Sequence, residues 1–222
     1  LSYAGTETAL PTRAAPITVG HGGGVGNLIC ERNFYMAYVH GYSERETQRL
    51  YEQADILEDI LHTGTAYPAG ARVLEAGCGV GGQTRFLVKR SPDALFTCID
   101  VSEKSLATAQ RLKAQAGFSH VFFQREDIQR LGFANQSFDH VFVCFVLEHL
   151  DDPVGALVEL KRVLAPGGTI TVIEGDHGSC FWHPETPASL AAWNGLITAQ
   201  RKIGHDPNIG RRLTPLLTEA GY

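Results

Sequence analysis

From Ala71 onward the chain alternates short runs of β-branched and aromatic residues with longer stretches whose apolar positions recur at helical spacing. The short runs predict strands over Arg72–Ala76, Leu95–Asp100, 120–124, 139–145 and 169–174. The amphipathic stretches predict helices near 81–90, 103–116 and 153–164. Alternation of this length implies an α/β fold, a doubly wound and mostly parallel sheet with helices on both faces. Upstream, Ser43 and Glu46 have capping-box spacing, and Leu50, Ala54, Leu57 and Leu61 follow along one helical stripe until Gly64 and Pro68 stop it. Downstream, 186–203 and 210–220 read as helices, the second interrupted by Pro215. Residues 1–33 show no periodicity. Their glycine run at 20–26 lacks the Gly-Lys-Ser/Thr of a phosphate loop, so they read as an arm. Residues 34–42 are aromatic-rich, with Phe34, Tyr35, Tyr38 and Tyr42.

Length adds a limit: 222 residues suit one well-buried α/β domain, placed at 43–222, with 1–42 as an N-terminal arm and lid segment. The formal net charge of −5 and the scatter of basic residues argue against a nucleic-acid partner, whose phosphates demand a basic face. The five cysteines form no CxxC pair, so no metal site and no disulfide framework is expected. No apolar run reaches the roughly 20 residues of a membrane span, and the N-terminus lacks a charged-then-apolar leader. A cytoplasmic location is the expectation. The first residue is Leu1, so a start-codon variant, processing or trimming is open.

The most informative stretch is Val73-Leu74-Glu75-Ala76-Gly77-Cys78-Gly79-Val80-Gly81-Gly82, a strand ending in an acid followed by a glycine turn. Glycine belongs where the backbone turns tightly and a ligand approaches without a Cβ in the way. Gly77, Gly79 and Gly82 also satisfy GxGxxG, so a dinucleotide site is a competing reading. Glu75 would repel a pyrophosphate and suits a cationic amino-acid tail, reached directly or through water. Asp100, about twenty residues on at the end of the next strand, suits ribose hydroxyls under either reading. Asp127 and Ile128 offer an acceptor and an apolar surface to an adenine ring.

With these pieces the sequence resembles the class I S-adenosylmethionine-dependent methyltransferases, over about 42–175. The matching segments are 73–81, 96–102, 126–128, 138–150 and Leu164-Ala165-Pro166-Gly167-Gly168-Thr169. It looks more like the small-molecule and quinone or sterol members than the nucleic-acid-modifying ones. The resemblance implies that S-adenosyl-L-methionine is the cofactor, with Glu75, Gly77 and Gly79 around its methionine part. It implies Asp100 on the ribose, Val101 and Ser102 beside the adenosine, Asp127 and Ile128 at the adenine, and Phe145 near the sulfonium. Tyr42 joins them as the end of a lid formed by 34–42. The family's sheet normally adds two final antiparallel strands, whereas this sequence stops at Glu219-Ala220-Gly221-Tyr222. Either the sequence is truncated or a partner strand completes the sheet.

Methyl transfer from a sulfonium is an in-line displacement that mainly needs alignment, and a base only where the nucleophile carries a proton. Candidate acceptor-side residues follow the fourth and fifth strands: His149, Glu174 and His177, with Asp176 and His183 nearby. His177 could act as a base, as imidazoles do, though a loop histidine bonded to a backbone carbonyl is the more ordinary outcome. Tyr35, Tyr38, Phe181, Trp182 and Trp193 offer aromatic walls for a small lipophilic acceptor, prenylated or terpenoid among them. Docking of the arm on a neighbouring subunit would give a homo-oligomer. Two rivals stand beside methyl transfer: an NAD-dependent oxidoreductase, and a non-catalytic adenosylmethionine-binding partner subunit.

Overall fold

A computed structural model describes residues 43–222. The arm, the aromatic lid with Tyr42, and Cys30 lie outside the described residues. Five strands, β1 (Arg72–Ala76), β2 (Leu95–Asp100), β3 (Val121–Arg125), β4 (Phe138–Cys144) and β5 (Leu164–Ile173), form one sheet in the order β3-β2-β1-β4-β5. All four pairings are parallel. The helices are α1 (Glu44–Leu61), α2 (Thr84–Arg90), α3 (Glu103–Ala116), α4 (Pro153–Val163), α5 (Pro187–Lys202) and α6 (Leu213–Glu219).

A strand with neighbours on both sides and helices above and below must be apolar on both faces. β1 and β4 meet that demand: Val73, Leu74, Val141, Phe142 and Val143 are fully buried. Cys78, Cys98 and Cys144 are free thiols in this interior, where each packs as a small apolar group. The chain winds from β1 outward to β3, then returns to lay β4 on the other side of β1. Right-handed crossovers then put α2 and α3 on one face and α4 on the other. The connections leave β1 and β4 in opposite directions, which opens a crevice at the carboxyl ends of these two strands.

Local signals explain most boundaries. Ser43 Oγ accepts from the Glu46 amide at 3.1 Å, and Glu46 holds the Arg49 guanidinium at 2.7 Å. Ser102 caps α3, and Gly117 closes it in the left-handed conformation at φ 71°. Three features depart from expectation by more than a single residue. The helix read at 81–90 begins only at Thr84, since Gly81 sits at φ +82°, outside helical space. β5 starts at Leu164 rather than 169. Phe138 pairs with Leu164 and His140 with Thr169, so the Pro166-Gly167-Gly168 turn bulges out of the ladder. A Cβ at Gly168 would lie 2.6 Å from the Asp139 carbonyl, which reserves this bulge for glycine. Pro215 does not interrupt its helix. It falls in the first turn of α6, where its missing N–H has no helical partner to lose. Among the described residues β5 pairs only with β4, and two helices and two 3-10 turns follow it.

Candidate active site

The glycine loop is fastened to the end of β2 by its own backbone. The N–H groups of Gly77 and Cys78 both donate to the Ile99 carbonyl, at 2.8 and 2.9 Å. Gly77 adopts φ +79°, and a Cβ there would collide with the side chain of Val146. Gly77 is therefore glycine for two reasons, a left-handed backbone and the close approach of the β4 end. Gly79 differs. It too has positive φ, +52°, but a Cβ there would meet nothing within 4 Å among the described residues. The loop thus faces open space at Gly79 and packed protein at Gly77.

Asp100 ties the two halves of this corner together. Its Oδ2 accepts from the Gly79 amide at 2.9 Å and its Oδ1 from the Ser102 amide at 2.8 Å. Burial raises its pKa, and the two amides pull it back down. Each carboxylate oxygen keeps a further lone pair for a ligand hydroxyl. Glu75, expected beside an amino-acid tail, lies in β1. It is only 2% exposed, and its Oε2 accepts from Thr84 Oγ1 at 2.6 Å. Burial pushes its carboxyl up to about 7 despite hydrogen bonds from Thr84 and Cys98. Glu75 thus braces the first turn of α2 from inside. Tyr51 of α1 donates to the Val80 carbonyl at 2.9 Å, so α1 backs the same loop.

Beyond β3, Asp127 Oδ1 accepts from the Gln129 amide at 2.9 Å, an Asx turn that fixes this loop. Ile128 is 5% exposed and packs inward, leaving little of it for a ring to lie on. Val101 is half-buried, and its carbonyl receives Arg125 Nε at 3.1 Å.

Across the crevice, Phe145 follows β4 in the left-handed conformation at φ 57°, a conformation that costs a non-glycine residue roughly 1–2 kcal/mol. Such residues concentrate where a site is built. The next two amides, of Val146 and Leu147, donate to Glu174 Oε1 at 2.8 and 2.7 Å. Glu174 therefore shapes the turn after β4, while its Oε2 is buried and has no hydrogen-bond partner among the described residues. Burial pushes this carboxyl up to about 8. Asp176 is a structural hub as well. It accepts from Ser179, Asn208 and Arg211, which hold it well below the usual carboxylate range.

His149 and His177, candidates from sequence, are joined by a residue that the reading of single positions missed. Glu148 is 8% exposed. Its Oε1 lies 3.5 Å from His149 Nε2 and its Oε2 lies 3.9 Å from His177 Nδ1. Gln200 of α5, fully buried, donates to Glu148 Oε2 at 3.2 Å, and His205 Nδ1 lies 3.4 Å from His149 Nδ1. Burial raises Glu148, while the nearby His177 and Gln200 lower it; burial lowers His205. His177 does bond a backbone carbonyl: Nδ1 lies 2.9 Å from the Pro207 oxygen. Its own carbonyl accepts from Trp193 Nε1 at 2.9 Å. Trp193 and Trp182, 5.8 Å apart edge to face, line an open apolar hollow of about 330 Å³ with Ser189, Ala192 and Leu196. Phe181 and His183 stay outside it, exposed. The only signal for Glu148 in the sequence was an acid inside Leu147–His149, flanked by buried leucines. Gln200 and His205 carried none.

Among the described residues no group of three or more His, Cys, Asp or Glu is placed to hold a metal ion, and no helix is long and apolar enough to cross a membrane. Residues 74–172 match the model of the methyltransferase domain family. The chain is 31% identical to an uncharacterized methyltransferase of Schizosaccharomyces pombe, over 85% of this chain and 66% of the relative. It is 32% identical to the 27-O-demethylrifamycin SV methyltransferase of Amycolatopsis mediterranei, over 69% of this chain and 54% of that protein. It thus spans about half to two thirds of the length of these two relatives. In fold it is similar to a methyltransferase structure from Aquifex aeolicus, with TM-score 0.58 and 19% identity over 78% of this chain and 87% of the other.

Proposed function

Because the chain belongs to the class I S-adenosylmethionine-dependent methyltransferase family, we propose that it transfers the methyl group of S-adenosyl-L-methionine to a small, lipophilic, natural-product-like acceptor. The observation that carries this reading is the Asp100 clamp beside the open face of Gly79, at the crevice between β1 and β4. Asp100 takes the ribose hydroxyls on its remaining lone pairs, and the Gly77–Gly79 backbone lies against the methionine part. Val101, Ser102, Asp127 and Ile128 border the adenosine, with the loop carbonyls and amides doing more of the work than the buried Ile128 side chain. The bound cofactor supplies an electrophilic methyl on a sulfonium. Phe145 and the turn that Glu174 holds border the reacting centre, and His149 and His177 stand on the acceptor side. What this chain contributes is chiefly orientation and the exclusion of water.

Support for a natural-product acceptor comes from the Amycolatopsis relative, whose name describes a rifamycin-derived substrate. The two-tryptophan hollow beside His177 favours an apolar body for it, terpenoid or prenylated types included. The NAD reading fares worse, since residues 74–172 match the methyltransferase domain family. A subunit that binds the cofactor without catalysis is disfavoured by the titratable cluster around Glu148, for which such a subunit has no use.

Calorimetry with S-adenosylhomocysteine and with NAD tests the proposal. We expect micromolar-range binding of the first and little of the second. Asp100→Ala should weaken it by roughly 1–3 kcal/mol, the worth of hydrogen bonds to a charged group. Tight NAD binding alone, or parental affinity in the Asp100 variant, would overturn the assignment.

A further inference from the structure

Building on the methyl-transfer reading, we propose that the acceptor presents a hydroxyl group, and that His177, positioned by Glu148, removes its proton. The geometry fixes the tautomer of the neutral imidazole. The Pro207 carbonyl 2.9 Å from Nδ1 can only accept, so Nδ1 carries the hydrogen and the neutral ring presents a lone pair at Nε2. Glu148 Oε2 stands 3.9 Å from that same Nδ1. This is the arrangement of an oriented base: one ring nitrogen anchored and backed by a carboxylate, the other free to take a proton.

Glu148 is in turn held. Gln200 Nε2 donates to its Oε2, and the Glu148 carbonyl accepts from the Asp206 amide at 3.0 Å. A carboxylate buried at 8% exposure is costly unless a nearby cation offsets it. A proton gained by His177 supplies that cation. Burial works against an isolated Glu148 anion, and the charge of His177 works for it. The Glu148 carboxylate therefore stands where it supports a proton arriving on His177 from the acceptor.

The step balances simply. The hydroxyl O–H bond breaks, its proton goes to His177 Nε2, the oxygen lone pair forms the new O–CH3 bond, and the S–CH3 bond breaks to leave S-adenosylhomocysteine. The imidazolium then releases its proton to solvent. An alkene acceptor would carry no proton to remove before the methyl arrives, and would have no call on this pair. Position also agrees. Val146 abuts Gly77, Glu174 holds Val146, and His177 lies three residues beyond Glu174 with its ring 5.1 Å from that of Trp193. Cofactor loop, base and apolar hollow follow one another along the strand ends, which suits an aromatic or lipophilic alcohol. The other charged groups set around the pair are His149 beside Glu148, His205 and Asp206 on the segment after α5, and Arg49 of α1.

The test uses the full chain loaded with S-adenosylhomocysteine and 4-nitrophenol, a small aromatic alcohol whose phenolate absorbs visible light. At a pH below the phenol's own pKa we expect saturable binding, with the bound phenol ionised several-fold beyond the free one. His177→Asn keeps an N–H toward Pro207 but has no lone pair in place of Nε2, and should lose the excess ionisation while retaining S-adenosylhomocysteine. Glu148→Gln, close to isosteric, should lose part of that several-fold excess, because the imidazolium loses its carboxylate support. A merely structural Glu148 would leave it unchanged. No saturable binding, a bound phenol that stays neutral, or equal ionisation in His177→Asn would overturn the proposal. Failure of the parent protein to bind S-adenosylhomocysteine would instead overturn the methyl-transfer reading on which it rests.

Discussion

On the β1–β2 side of the crevice the site is made of backbone. Amides of Gly77, Cys78, Gly79 and Ser102 reach the Ile99 carbonyl and the Asp100 carboxylate within a few residues of where the strands end. On the β4–β5 side it is made of side chains. Glu148, His177 and a pair from α5, Gln200 and Trp193, come from three different places in the chain, and Gln200 is the only buried residue of that helix. The first region is rigid by construction, because a loop in the left-handed conformation pressed against Val146 has few alternatives. The second is held by a handful of hydrogen bonds and leaves its apolar hollow open. A conserved cofactor shape suits the first kind of construction, and an acceptor that differs from one enzyme to the next suits the second.

The sharpest way to break the comparison is a pair of alanine substitutions in one loop. Gly77→Ala forces a Cβ into Val146 at positive φ, and the strain and overpacking together should cost roughly 2–4 kcal/mol of stability. Gly79→Ala meets no atom of the described residues, so only the backbone strain of about 1 kcal/mol remains. Its larger effect should fall on S-adenosylhomocysteine affinity. Denaturant unfolding and calorimetry on both variants separate the two. Equal stability losses would mean that the loop is not packed against the end of β4 as described.

A second effect, intermediate in size, comes from acids buried on each side. Burial raises Glu75 to about 7 and Glu174 to about 8, so the folded chain keeps protons that the unfolded chain has already released. The resulting stabilisation is full at low pH, below the ordinary carboxylate range. It drains as pH rises toward 7 for Glu75 and 8 for Glu174. Unfolding midpoints should therefore fall between about pH 5 and about pH 9. Glu174→Gln should flatten the upper part of that fall and Glu75→Gln the lower part. A midpoint that rises over this window would show that both acids are already ionised in the fold.

The smallest effect should come from Trp193→Phe. It removes the bond from Nε1 to the His177 carbonyl and keeps an aromatic wall, which costs roughly 0.5–1.5 kcal/mol of stability. Cofactor-analogue affinity should stay at the parental value while 4-nitrophenol binding weakens. A loss of cofactor affinity would erase the independence of the two regions.

The sequence by itself determined the sheet and the glycine corner. Strand runs, caps and left-handed glycines act through neighbours within a few positions, and such local effects leave a periodic or motif-like trace. Asp100 was legible for that reason, standing at a strand end one βα unit after the glycines. The tertiary structure decided the rest. Whether Glu75 faces a ligand or Thr84 depends on how α2 docks, and whether Ile128 is a platform or core depends on what packs behind it. Glu148, Gln200 and His205 belong to one cluster only because α5 and the segment after it return across the ends of β4 and β5. An isolated polar residue in sequence looks the same whether it ends in water or in a buried pair. Burial sets its proton affinity and its partners, and burial is a property of the assembled fold.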